Sequence, residues 1–265
     1  MVNTGKNLFL QPAENISAIT SGVGSMGKTW LAITLAHALS ILRRNVLLFD
    51  ADNGLLNTEV QLGLSAENTL NAAAVDKICF NNAVMPVTKK NFDIMAGIAG
   101  SNIMEEMPEG RLQIFREYLT ITAKKYDEVV IDLPATEKII NHFLPPLKNL
   151  LLVCTNDPSN LVATYNFLQN DMSLISCEKL SIVVNYANSY EEGLQTYNTL
   201  RRACEQHLKY IPDLLGVVRK DMLVRDAIRS HSLLLNRYAD SKAASDVMQI
   251  ARKLLNKEID NENKI

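Results

Sequence analysis

Apolar residues come in two rhythms along this chain. Short unbroken runs, Val46-Leu47-Leu48-Phe49, Val129-Val130-Ile131 and Leu150-Leu151-Leu152-Val153-Cys154, predict strands buried on both faces, as in a parallel sheet. Residues 16–20, 91–96, 180–185 and 214–218 read as further strands. The segments between them repeat their apolar positions at helical spacing. Residues 29–44 contain no Gly or Pro and place Leu31, Leu35, Ala38, Leu39 and Leu42 on one face. Residues 110–125, 159–170, 191–208, 222–230 and 241–255 read as helices too, with Leu194, Tyr197, Leu200 and Cys204 on one face of 191–208. One or two short helices are expected within 61–80. Strands alternating with helices predict an α/β fold of three layers, a mostly parallel central sheet flanked by helices on both faces. Residues 1–14 read as a loose lead-in, 15–256 as one domain and 257–265 as a polar tail.

The join between the first strand and the first helix carries the chemistry. Gly22-Val23-Gly24-Ser25-Met26-Gly27-Lys28-Thr29 fits the phosphate-binding P-loop pattern, Gly-x4-Gly-Lys-Thr, in its proper strand-loop-helix context. Backbone N–H groups can wrap a phosphate chain closely only where glycine removes the Cβ. The helix that follows turns unpaired N–H groups and a partial positive charge toward the anion. The cradle is therefore Gly22 to Trp30, with Lys28 expected on the β- and γ-phosphates and the Thr29 hydroxyl on Mg2+. Two other strands end in carboxylates. One runs into Asp50-Ala51-Asp52, and the other into Asp132, the Walker B position that serves the metal's water shell. A P-loop NTPase fold binding ATP or ADP with Mg2+ is the expectation.

Composition narrows the setting. The chain has 265 residues, 47% hydrophobic and 21% charged, enough for a substantial core. A net charge of −2 gives no broad basic surface, so no specific nucleic acid is expected. Cys79, Cys154, Cys177 and Cys204 form no CxxC pair, which fits a reducing cytoplasm. No stretch reads as a signal peptide or a membrane span.

From about residue 16 to 255 the chain resembles the MinD/ParA family of P-loop ATPases, and within it the flagellar-number regulators FlhG and FleN. Three stretches carry this resemblance: Asp50-Ala51-Asp52-Asn53-Gly54-Leu55-Leu56-Asn57-Thr58-Glu59-Val60, Val153-Cys154-Thr155-Asn156-Asp157-Pro158-Ser159, and Val183-Val184-Asn185 followed by Ser189-Tyr190-Glu191-Glu192-Gly193. The resemblance implies an ATP-dependent homodimer with nucleotide at the interface. Asp52 would orient the attacking water, and Asp50 and Asp132 would assist Mg2+. Asn185 would contact adenine, while Val218, Arg219 and Asp221 would line the base. It also implies a switch protein that sets the number or placement of flagella. Such a protein would be cytoplasmic, at the cell pole or the inner face of the membrane, and its partners would be a flagellar GTPase, a regulator or a basal-body protein. A nucleotide-binding scaffold that hydrolyses little and a ParA-like partitioning ATPase are the alternatives. The sequence departs from the family at Val23, where a lysine is usual, at Ser25, where a second glycine is usual, and after Asp132, where Leu133-Pro134-Ala135-Thr136 stands. Slow hydrolysis is the consequence expected of Val23. The last helix has an apolar face of Ala244, Val247, Met248, Ala251, Leu254 and Leu255 with acidic neighbours, which favours packing on the domain over a membrane surface.

Overall fold

The computed structural model describes residues 15–52, 58–64, 70–74, 79–98, 100–101, 103–134, 139, 142–170, 175–208 and 210–262. Eight strands form one sheet: β1 Ile16–Ser21, β2 Val46–Asp50, β3 Met85–Pro86, β4 Phe92–Met95, β5 Glu128–Asp132, β6 Leu147–Cys154, β7 Cys177–Ala187 and β8 Asp213–Arg219. Their order is β3-β4-β2-β5-β1-β6-β7-β8. Every neighbouring pair is parallel except β3 with β4. The two-residue edge strand β3 has no counterpart in the hydropathy pattern, which it is too short to mark. As the unbroken apolar runs require, β1, β2 and β5 are buried at every position.

The helices are α1 Lys28–Ile41, α2 Thr58–Leu62, α3 Leu70–Ala74, α4 Ile103–Glu106, α5 Glu109–Ala123, α6 Pro158–Asn170, α7 Tyr190–His207, α8 Met222–Arg229, α9 Leu234–Arg237 and α10 Lys242–Glu262. One apolar core joins the sheet to α3, α5, α6 and α7, and a second joins the opposite face to α1, α8, α9 and α10. Residues 30–40 of α1 are buried without interruption, not only on the face expected from the sequence. Ala244, Val247 and Ala251 of α10 are in the same core, with Met248, Leu254 and Leu255 packed against it. The apolar face of the last helix is thus turned inward, and α10 runs seven residues beyond the end expected at Leu255. No helix among the described residues is long and apolar enough to cross a membrane.

The parallel strands bring their carboxyl ends to one edge of the sheet. β1 lies between β5 and β6, with β2 to β5 on one side of it and β6 to β8 on the other. That point, where the order of the strands reverses, is where open α/β sheets hold ligands. It is also where the P-loop begins.

Candidate functional site

Space, as much as backbone freedom, decides the glycines of the loop. A Cβ on Gly22 would lie 2.4 Å from the Ala163 carbonyl oxygen on α6. Gly27 is left-handed, with φ 77°, and a Cβ there would meet Asn185 Nδ2 at 2.6 Å. Gly24, by contrast, faces open space. Ser25 has φ 63°, the left-handed conformation that a glycine would adopt without strain. The Ser21 hydroxyl donates to the Val23 carbonyl at 2.5 Å and tightens the start of the loop. Val23 itself is exposed.

The loop ends at the N-terminus of α1, which has no side-chain cap and no acidic residue in its first turn. A helix start leaves N–H groups without intrahelical partners, and the partial positive charge there favours an anion. Lys28 is buried, and its Nζ lies 3.1 Å from Asp52 Oδ2. The Thr29 hydroxyl donates to Asp132 Oδ2 at 2.5 Å. Asp132 is fully buried, and its other oxygen, Oδ1, has no hydrogen-bond partner among the described residues. A buried carboxylate oxygen left unpaired is costly. Burial, and then the neighbouring Asp50 charge, hold the Asp132 carboxyl well above the usual carboxylate range. Thr29 with this unpaired oxygen fits Mg2+, which takes one or two carboxylates and completes its shell with water and phosphate oxygens. Among the described residues no group of three or more His, Cys, Asp or Glu side chains gathers as a metal site.

Asp50 is tied into the protein on both carboxylate oxygens. Its Oδ2 accepts from the Thr58 hydroxyl at 2.5 Å and from Thr58 N at 3.1 Å, while Oδ1 accepts from Asp52 N at 3.1 Å. Its side chain anchors the start of α2 and shapes the turn that carries Asp52. Burial pushes its pKa up to about 7 against the lowering effect of these bonds. The intervening residues 53–57 of the expected switch segment lie outside the described residues, as do Ala135 and Thr136 after β5.

The residues expected around the base are distributed differently. Asn185 is buried, donates to the Met26 carbonyl at 2.9 Å and accepts from Tyr186 N at 2.9 Å. Its amide braces the P-loop through the Met26 carbonyl. The side chains of Met26, Trp30 and Val218 are in the apolar core, so at those positions only the backbone can meet a ligand. Arg219 forks onto Asp246 of α10, with Nη2 2.7 Å from Oδ1 and Nε 2.9 Å from Oδ2. Asp221 caps α8, accepting from Leu223 N at 3.0 Å. Three contributors escaped the sequence reading: Ala163, whose carbonyl presses on Gly22, Thr58, which answers Asp50, and Tyr186 beside Gly27. No local pattern marks the first or the last.

This assembly of strand, P-loop, uncapped helix and two strand-end aspartates is that of a P-loop nucleotide-binding protein. The profile of the CobQ/CobB/MinD/ParA nucleotide-binding domain matches residues 17–261, and the chain belongs to that family, whose MinD/ParA branch consists of ATPases. It is 26% identical over 245 residues to the antiactivator FleN of Pseudomonas aeruginosa, covering 90% of this chain and 85% of that protein. It is 23% identical over 244 residues to the flagellum site-determining protein YlxH of Helicobacter pylori, covering 91% and 81% of the two chains. The fold superposes with a TM-score of 0.71 on the septum site-determining protein MinD of Pyrococcus horikoshii complexed with Mg-ADP, at 22% identity and over 91% of this chain and 95% of that one.

Proposed function

We propose that this protein is an ATP-dependent switch of the MinD/ParA type that controls the number or placement of flagella. The observation that carries the nucleotide part is the uncapped start of α1 with Lys28, Thr29 and Asp132 around it. Backbone N–H groups of the loop and Lys28 would bind the phosphates. Thr29 and Asp132 would hold Mg2+, which when bound offsets phosphate charge. The phosphates compete with Asp52 for Lys28, so nucleotide binding frees the Asp52 carboxylate to orient a water. Asp52 and the start of α2 share the Asp50 carboxylate. A change at Asp52 therefore reaches α2, the way γ-phosphate sensing commonly orders a switch segment. Val23 brings no charge to the loop, so turnover is slow, and ATP rather than ADP favours a homodimer.

The flagellar part rests on likeness to FleN and YlxH. It is tested by deleting the gene in a flagellated host and counting flagella by electron microscopy. An altered number or position supports it. An unchanged count together with salt-dependent binding of plain duplex DNA would replace it with the partitioning reading. Calorimetry with Mg·ATP tests the nucleotide part, and no heat of binding up to millimolar nucleotide would sink it.

A further inference from the structure

The edge of the sheet opposite the P-loop carries a charge that the net balance of −2 conceals. β4, β2 and β5 are neighbours and start in register, Phe92 beside Val46 and Val46 beside Glu128. The three turns that lead into them are therefore one strand spacing apart, roughly 5 Å. Those turns bring Arg43 and Arg44, Lys89 and Lys90, and Lys124 and Lys125. Side-chain amides weld the turns together. Asn91 Nδ2 donates to the Ser40 and Arg44 carbonyls at 2.8 and 2.9 Å, and Asn45 Nδ2 donates to the Lys125 carbonyl at 3.1 Å. Cations from three distant stretches of sequence thus share one end of the molecule, a strand's length from the P-loop.

Two features set these cations apart from ordinary solvated lysines. Arg43, Lys89, Lys90, Lys124 and Lys125 are exposed, and none of the five forms an ion pair among the described residues. The carboxylates beside them are engaged by the fold: Glu128 is buried, Asp93 accepts from the Tyr126 hydroxyl at 2.8 Å, and Asp127 accepts from Asn45 N at 2.7 Å. Arg43 also has φ 67°, just past α1, where Arg44 N closes on the Leu39 carbonyl at 3.2 Å. Glycine takes that left-handed position without strain, so a long cation is kept there at a conformational cost.

Apolar side chains flank the cationic turns. Ile41, which ends α1, is 48% exposed, and Ile121, on the last turn of α5, is 59% exposed. α1 and α5 pack on opposite faces of the sheet, so the two isoleucines stand on either side of the edge. Cations beside exposed bulky apolar groups fit the headgroup region of an anionic bilayer, which attracts the first and takes up the second. A nucleic-acid backbone offers nothing to the isoleucines. We propose that this edge is a docking surface for a membrane rich in anionic lipid, which leaves the P-loop, at the opposite ends of the strands, turned away from the bilayer.

Co-sedimentation of the full chain with vesicles tests it, comparing phosphatidylcholine alone with phosphatidylcholine carrying phosphatidylglycerol. Wild type should pellet with the anionic vesicles at low salt, be released as salt rises, and ignore the neutral ones. Each cation near such a surface is worth about 1 kcal/mol, or about fivefold in partitioning. Lys89→Gln with Lys90→Gln, and Lys124→Gln with Lys125→Gln, should therefore each cut the partition coefficient about 25-fold. Ile121→Ser should lower it by a smaller factor. Thermal unfolding of the variants should match wild type, because the altered side chains are exposed. No pelleting of wild type with anionic vesicles, or undiminished pelleting of both double variants, overturns the proposal. Equally tight binding of plain duplex DNA, lost in the same double variants and with Ile121→Ser unchanged on vesicles, makes the edge a general polyanion surface and overturns it too. The assay contains no nucleotide, so its outcome is independent of the reading of the P-loop.

Discussion

Lys28 Nζ and Asp52 Oδ2 stand 3.1 Å apart, so the lysine of the P-loop is paired with the residue expected to handle the attacking water. On the proposed function, ligand arrival would release the Asp52 carboxylate from this pair. Asp52→Asn removes the competing charge and should tighten Mg·ADP binding about two- to fivefold, the range of a partly exposed ion pair, while abolishing turnover. Lys28→Ala should cost about 2–5 kcal/mol of nucleotide binding, as truncated buried charge pairs do. Calorimetry and steady-state ATPase assays read both. Weaker ADP binding in Asp52→Asn would show that Asp52 supports the ligand instead of competing with it.

The P-loop glycines should respond unequally. In Gly22→Ala the new methyl meets the Ala163 carbonyl oxygen at 2.4 Å, and backbone on both sides must shift. Overpacking of this kind costs about 1–3 kcal/mol, and the displaced loop should also bind nucleotide poorly. Gly24→Ala points into open space and should stay within about 0.5 kcal/mol of wild type. Urea denaturation of the free proteins separates the two, and equal stabilities would show that α6 does not press on the loop.

His37 makes acid destabilising. It is buried in α1 and stacked on Phe92 at 6.1 Å, and its Nδ1 has no partner among the described residues. Burial lowers its pKa from 6.5 to about 4. Between those values the unfolded chain binds a proton that the folded chain refuses, so stability falls as pH drops from 6.5 toward 4, by about 3 kcal/mol at most. Asp50 acts in the opposite sense. Raised from 3.8 to about 7, it keeps a proton on folding, and that contribution is lost as pH rises through 7. His37→Leu isolates the first effect: denaturation at pH 4.5 and 7 should show a smaller loss in acid than in wild type. Parallel pH profiles would place the histidine in a polar setting.

Val23 sits exposed on the loop where a charge would reach outward. Val23→Lys should raise ATPase activity and ATP-dependent dimerisation together. The ceiling is the roughly 10³–10⁵-fold rate effect of an added charge on phosphoryl transfer. Light scattering with ATP and a phosphate-release assay check it. Brisk wild-type turnover, unchanged in the variant, would show that another cation already acts at that position.

Local order was legible in the sequence because it is set locally. Unbroken apolar runs such as Val46 to Phe49 mark strands buried on both faces, and Gly27-Lys28-Thr29 after a strand marks an anion site whatever packs around it. The family likeness, carried by motifs of a few residues, was visible for the same reason. The helical repeat of α1 suggested one buried face. The laying of α10, α9 and α2 against it buried the rest, since a helix cannot record in its own period what will cover it. The roles of polar side chains were decided still later. Asp50 and Asn185 are residue types that could serve a metal or a base, and it is the fold that gives them Thr58 and the Met26 carbonyl as partners. The same holds for Tyr186, whose placement follows from a slipped register between β7 and β8. Residue chemistry and spacing marked the loop as an anion site; tertiary packing determined which partners surround it, because residues far apart in the chain, such as Met26 and Asn185 or Thr29 and Asp132, meet only when the sheet is assembled.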